Sequence, residues 1–252
     1  MIEVKNIDKS FDGNRVLKNV SAVFEAGKTN MIIGQSGSGK TVLMKSIIGL
    51  HRIDQGRIEY DGRNLPDMRM SDIRILRREV GMLFQGSALF DSLSVLENVM
   101  YPLEMFSPAT KEEMVERARF CLHHVNLEEK AFKLAPSEIS GGMQKRVAIA
   151  RAIALQPKYL FCDEPNSGLD PKTSLIIDRL IHDITVEFNI TTIINSHDMN
   201  SVMEIGENII FINKGEKAWQ GTKDDIFHVD NEDLNDFVFA SELYKKVKKA
   251  NS

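Results

Sequence analysis

The segment Gly34-Gln-Ser-Gly-Ser-Gly-Lys-Thr41 limits the possible folds more than any other part of the chain. It fits G-x-x-x-x-G-K-[S/T], follows the apolar run Thr29-Asn-Met-Ile-Ile33, and precedes a helical stretch from Thr41 to Ile48 that stops at Gly49. Strand, glycine-rich turn and helix in that order form a phosphate cradle. Glycines let backbone N–H groups approach an anion closely, and the helix start adds its dipole. The expected fold class is therefore α/β.

The rest of the chain supplies strands and helices to match. Alternating apolar positions (Ile2, Val4 and Ile7, then Val16, Leu17, Val20, Ala22 and Phe24) predict β-strands joined at the turn Asp12-Gly13-Asn14. Lys158 to Cys162 and Ile190 to Ile194 predict buried parallel strands with a helix from Ser174 to Phe188 between them. Ile209 to Ile212 followed by Asn213-Lys-Gly-Glu216 predicts a hairpin. Between 87 and 157 the texture turns helical, punctuated by Pro102, Pro108 and Pro136, with Met114, Val115, Ala118, Cys121 and Leu122 at helical spacing. The expected organisation is one domain over 1–228, with residues 87–157 as a helical insertion and 229–252 as a helical tail.

Composition narrows the function classes. Of 252 residues, 42% are hydrophobic and 27% charged, ordinary for a globular chain with a sizeable core. A net charge of −4 argues against nucleic acid as a partner. The basic cluster Arg74, Arg77 and Arg78 reads as a solvated helix face. Cys121 and Cys162 are far apart and lack metal-ligand spacing, which suits a reducing compartment. No signal peptide is evident, and no run approaches the ~18–20 apolar residues of a membrane helix. The expected location is cytoplasmic.

Several residue types then converge on nucleotide hydrolysis. Lys40 is placed to bridge β- and γ-phosphates, and the Thr41 hydroxyl to bind Mg²⁺. Gly34, Gln35, Ser36, Gly37, Ser38 and Gly39 form the cradle itself. Asp163, ending a strand, can hold the metal, and Glu164 beside it can act as general base on a water. Standing alone, this pair would more often be an exposed turn. Ser140 can cap a helix running to Leu155, so that Ser140, Gly141 and Gly142 point donors at an anion. Gln85 after Val80-Gly-Met-Leu-Phe84 and His197 after Ile190–Ile194 carry no chemical meaning by themselves.

Taken together and in order, these motifs resemble the ATP-binding cassette (ABC) ATPases over roughly residues 2–225. The resemblance implies a P-loop nucleotide-binding domain with a mixed β core and an inserted helical subdomain, using ATP and Mg²⁺. It assigns Ser140-Gly-Gly142 to the signature sequence, Gln85 to the metal and attacking water, His197 to the γ-phosphate, and Asp170 to coupling between sites. It makes Phe11 the adenine-stacking aromatic, with Val16 beside it. It implies a head-to-tail homodimer peripheral to the inner face of a membrane, under permease subunits. Met143 stands where the family usually has Gln, and Gly168 where Ala is frequent.

At finer grain, Phe84-Gln-Gly-Ser-Ala-Leu-Phe90, Glu97 to Leu103 and Pro136 to Met143 resemble the ATPase of the maintenance-of-lipid-asymmetry (Mla) system and its Mce-type relatives. That resemblance implies phospholipid or another hydrophobic cargo, an Mce-domain partner, and a tail that engages the neighbouring ATPase. The permease surface is expected on Ser87–Asp91, Leu93–Val99 and Tyr101. Two alternatives stay open: a different small-molecule cargo, or a soluble ABC ATPase that powers assembly, as in iron–sulfur cluster scaffolds.

Overall fold

The computed structural model describes residues 1–239. The chain opens with a long hairpin of β1 (Ile2–Phe11) and β2 (Asn14–Phe24), then β3 (Thr29–Ile33), α1 (Lys40–Ile47), β4 (Gln55–Tyr60), β5 (Arg63–Asn64), α2 (Met70–Arg78) and β6 (Val80–Leu83). Three helices follow: α3 (Val95–Phe106), α4 (Lys111–His124) and α5 (Gly141–Ile153). The chain then returns through β7 (Tyr159–Asp163), α6 (Pro171–Glu187), β8 (Thr191–Asn195), α7 (Met199–Ile205), β9 (Asn208–Asn213), β10 (Glu216–Gly221) and α8 (Glu232–Val238).

Two sheets result. One is antiparallel with order β2-β1-β4-β5, and the other runs β10-β9-β3-β8-β7-β6. In the second, β9, β3, β8, β7 and β6 are parallel and β10 closes the edge antiparallel to β9. The sheet is mixed, as the sequence implied.

Side-chain alternation explains why the central strands are buried on both faces. Met31 and Ile33 of β3 pack with Leu160 and Cys162 of β7 into the core beneath α3 to α7. Ile32, Tyr159, Phe161 and Ile193 point the other way and pack with Ile2, Ile7, Phe24, Leu43 and Tyr60, between the two sheets and α1. Each such side chain contributes about 1.5–3 kcal/mol on burial. Successive residues of β3 and β7 thus fix the sheet in place from both sides.

The helical stretch lies between β6 and β7 and has well-defined starts. Ser94 with Glu97 and Thr110 with Glu113 form capping boxes at α3 and α4. Buried Asn98 on α3 accepts from Phe90 N–H (2.8 Å) and donates to the carbonyls of Phe90, Leu93 and Ser94. It therefore shapes the segment that leaves β6. The nine-residue helix α2 carries Arg74, Arg77 and Arg78 exposed, the solvated helix face that the basic cluster implied.

The expected boundary at 228 does not separate two packed units. Leu234, Val238 and Phe239 are buried in the same core as Ile209 and Phe211. Residues 240–252, where the rest of the expected tail falls, lie outside the described residues. Among the described residues, no helix is long and apolar enough to cross a membrane.

Candidate active site

The ends of β3, β7 and β8, the start of α1 and the segment after β6 meet at a cleft of about 690 Å³. Val16, Gln35, Ser36, Gly37, Gly39, Lys40, Thr41, Val42, Gln85, Glu164, His197 and Phe237 line it. Residues far apart in the sequence are thereby brought to one place.

The glycine-rich loop is held from behind. Gly34 has φ +148°, and a Cβ there would sit 2.2 Å from the carbonyl oxygen of Ile212 on β9. Only glycine fits so close an approach. Gly215 in the β9–β10 turn donates to Ser38 O (3.0 Å) and its own carbonyl accepts from Lys18 N–H (2.8 Å). The Ser38 hydroxyl is buried with no hydrogen-bond partner among the described residues. The loop therefore carries donor capacity that its own fold does not use, which fits an oxyanion.

Lys40, the first residue of α1, is buried and donates from Nζ to Gly34 O (2.8 Å) and Gln35 O (3.0 Å). Burial lowers its pKa, while the carboxylates of Glu164 and Asp163 raise it in part. A partly desolvated ammonium is well suited to a phosphate, because its charge is only weakly screened there. Thr41 is exposed beside it.

The carboxylates occupy the end of β7. Asp163 Oδ1 accepts from Asn195 Nδ2 on the neighbouring β8 at 3.1 Å, and Asn195 Oδ1 is buried without a partner among the described residues. Glu164 adopts φ +47° and donates its N–H to Asn195 O at 3.1 Å. That left-handed backbone swings its side chain to within 2.9 Å of His197 Nδ1. Among the described residues, no group of three or more His, Cys, Asp or Glu forms a metal cage. This donor set suits Mg²⁺, which keeps several waters and is held by one or two side chains together with substrate phosphates.

Gln85 is exposed and donates from Nε2 to the Ser167 hydroxyl at 3.1 Å. Ser167 in turn donates its N–H to Glu164 O at 3.2 Å. The Gln85 side chain is thus linked to the loop that carries Glu164. Ser167 and Asn195 had no distinguishing signal in the sequence.

Other expected residues lie outside the cleft. Ser140 caps α5, its hydroxyl accepting from Met143 N–H (3.3 Å). Ser140 and Gly141 are exposed, and Ser140, Gly141 and Gly142 do not line the cleft of their own chain. Gly142 faces α6, where a Cβ would lie 2.7 Å from Thr173 Cγ2. Half-buried Met143 packs against the core beneath the helices.

Asp170 caps α6 instead of entering the cleft. One carboxylate oxygen accepts from Lys172 and Thr173 N–H, both at 3.0 Å, and the other from the Thr173 hydroxyl at 2.5 Å. The Thr173 hydroxyl, with these backbone donors, holds its carboxyl below the usual range. Phe11 ends β1, exposed, with its ring edge-on to His51 (centroids 5.2 Å) and Lys9 Nζ 4.9 Å from its centre. It is not among the residues lining the cleft, whereas Val16 is. Phe237 lines it unexpectedly, stacked on Phe211 at 5.5 Å. The only hint was an apolar residue in the stretch expected to form a helical tail.

Comparison with known proteins shows the family. The family model described as ABC transporter matches residues 17–167. The methionine import ATP-binding protein MetN of Clostridium tetani is 37% identical over 243 residues, spanning 96% of this chain and 76% of its own. The glutamine transport ATP-binding protein GlnQ of Escherichia coli is 41% identical over 221 residues, spanning 88% of this chain and 91% of its own. A solved dimeric ATP-binding cassette in a post-hydrolysis state, bound to ADP and phosphate, superposes with a TM-score of 0.79 at 33% identity. That match spans 88% of this chain and 98% of the other. The structure of cbiO1 from Clostridium perfringens, part of an ABC transporter complex, gives 0.84 at 26% identity over 99% and 97%. The chain belongs to the ABC transporter family, as an ATPase subunit that binds ATP with Mg²⁺ and hydrolyses it.

Proposed function

We propose that two copies of this chain close head-to-tail on two ATP molecules and drive a membrane permease from its cytoplasmic face. The observation that carries this reading is the division of the site. Lys40, Gln85, Glu164 and His197 share one cleft, while the capped signature turn Ser140–Gly142 faces outward from the same chain. A second copy can present that turn to the γ-phosphate, and the resemblance to a dimeric cassette supports it.

Each residue then has a task. Lys40 and the loop N–H groups hold the phosphates; Thr41 and Asp163, with Gln85, hold Mg²⁺. Bound Mg²⁺ would neutralise charge on the β- and γ-phosphate oxygens. Glu164 accepts a proton from the attacking water, and His197, 2.9 Å from it, fixes its carboxylate and contacts the γ-phosphate. Val16 packs beside the adenine, with Phe11 stacking from the hairpin end. Asp170 acts by fixing the start of α6, against which the signature turn packs.

The permease surface is narrower than the sequence implied. Val95, Val99 and Asn98 are buried, so they belong to the core. Phe90 and Tyr101 are exposed and pack together (4.6 Å), and Met105, Phe106 and Ile75 are exposed nearby, where Arg78 of α2 bonds the Phe106 carbonyl. This apolar strip suits short permease helices.

For the cargo, the likeness to the methionine import and glutamine transport ATPases favours a solute of the amino-acid class. They lend nothing to an Mce-domain partner or to phospholipid, a reading that rests on the three Mla-like segments alone. Purifying tagged Glu164→Gln protein from its native membranes and identifying what accompanies it tests all of this. A permease with an amino-acid-binding partner supports the proposal. An Mce-domain protein with bound phospholipid would replace the cargo, and soluble assembly proteins alone would overturn the transporter reading.

A further inference from the structure

Lys145 lies on α5, five residues after Ser140, and is only 4% exposed. Its Nζ donates to the backbone carbonyls of Phe84 (3.4 Å) and Gln85. Further along the same helix, Arg151 donates to the carbonyls of Ala88 and Ser87, both at 2.7 Å. Two cations of one helix thus hold four carbonyls of the segment that carries Gln85. Ser87 and Ala88 sit at φ +62° and +49°, so this segment is bent into a conformation that side chains other than glycine rarely adopt. Asn98 fixes its far end through Phe90.

The chemistry of Lys145 is unusual for filling space. Burying an ammonium is costly unless it is paired, and no carboxylate lies within ion-pair distance of Lys145 among the described residues. A methionine or leucine would pack at that depth without the penalty. What the ammonium supplies is a pair of charge-assisted hydrogen bonds to the peptide carbonyls on either side of the Gln85 Cα. Helix geometry places it about 7.5 Å along the axis from Ser140, within one rigid element.

We propose that Lys145 is a positioning residue that ties the Gln85 peptide to the signature helix, with Arg151 as the second anchor. A shift of α5, when Ser140–Gly142 meet the nucleotide held by a second copy, then carries Gln85 with it in the chain's own cleft. Occupancy of one site is felt at the other through this clamp. The proposal rests on the assignment of Gln85 to the metal and water.

The test is a double-mutant cycle of Lys145→Met and Gln85→Ala in the full chain, with ATP turnover measured at saturating ATP over a range of Mg²⁺. Methionine follows the lysine chain out to Cε and removes the ammonium, its charge and its donors together. Lys145→Met is expected to lower kcat by about 10²-fold, the scale set by a misplacement of about 1 Å. KM for ATP should stay within about threefold, and the Mg²⁺ needed for half-maximal rate should rise. In the Gln85→Ala background, Lys145→Met should cost nothing more, because both act through one group. Multiplying losses, or wild-type turnover in Lys145→Met beside a slow Gln85→Ala, overturns the clamp. Wild-type turnover in Gln85→Ala overturns the assignment of Gln85 instead. A melting temperature for each variant near that of the parent separates positioning from loss of fold.

Discussion

Replacing Asp178 by asparagine measures the cost of one charge buried behind the catalytic loops. Asp178 lies on α6, 3% exposed, and accepts from Asn166 Nδ2 at 2.8 Å. The same Asn166 amide reaches the Ser201 hydroxyl on α7 at 2.9 Å. Burial pushes the Asp178 carboxyl from 3.8 up to about 6, with Asp198 and Glu204 adding to the rise, although hydrogen bonds from Ser201 and Asn166 oppose it. A rise of about two units corresponds to about 3 kcal/mol of penalty on the ionised form. Asparagine removes that penalty, and its new N–H group can donate to Asn166 Oδ1, which is buried without a partner among the described residues. Ser201 loses a carboxylate acceptor, a change of about 1 kcal/mol.

The net expectation is a gain of about 1–3 kcal/mol at pH 7.5, or about 2–4 °C in Tm per kcal/mol. The pH dependence carries a definite sign. The folded pKa is raised, so the folded state holds the proton more tightly and the wild-type penalty is fully present above pH 6. It shrinks as pH falls through about 6 and is gone below about 3.8, where both states are protonated. Urea denaturation of both proteins between pH 5 and pH 8 follows the difference directly. A variant less stable than wild type at pH 7.5, or a difference flat with pH, would refute the reasoning.

Glu164→Gln keeps the 2.9 Å contact to His197 but loses the base. Turnover should fall by about 10²–10⁴, or about 3–5 kcal/mol in barrier, with ATP binding retained. Phosphate release within threefold of wild type would remove Glu164 from that role. Gly34→Ala forces a Cβ to within 2.2 Å of the Ile212 carbonyl, so the loop must shift and ATP affinity should drop at least tenfold, read by nucleotide titration. Truncation after Phe239 should leave the fold intact and weaken assembly, whereas truncation before Asn231 removes Leu234 and Val238 from the core and should lower Tm. Equal melting temperatures for the two truncations would show that α8 contributes nothing to the fold.

Local patterns were legible because they arise from short-range physics. Met31, Ile32 and Ile33 read as a strand since alternate side chains face opposite cores, and Gly34 to Thr41 read as a phosphate loop since its glycines serve one backbone shape. Ser140 revealed a helix start because capping acts over three residues, and its hydroxyl does accept from Met143 N–H. The Mla-like segments, by contrast, led to a cargo that the named relatives do not share.

The sequence alone determined the kinds of chemistry available: a phosphate cradle, two carboxylates at a strand end, a capped anion-facing turn. Tertiary structure decided which of them meet. Gln85, Glu164 and His197 come together because β6, β7 and β8 lie side by side in parallel register, and that register is set by packing across the whole sheet. The same packing gave Asp170 to a helix cap, brought Phe237 to the cleft, and set Lys145 beneath Gln85. A lone glutamine, histidine or lysine has no local pattern of its own, since its partners are chosen by contacts between elements distant in the chain.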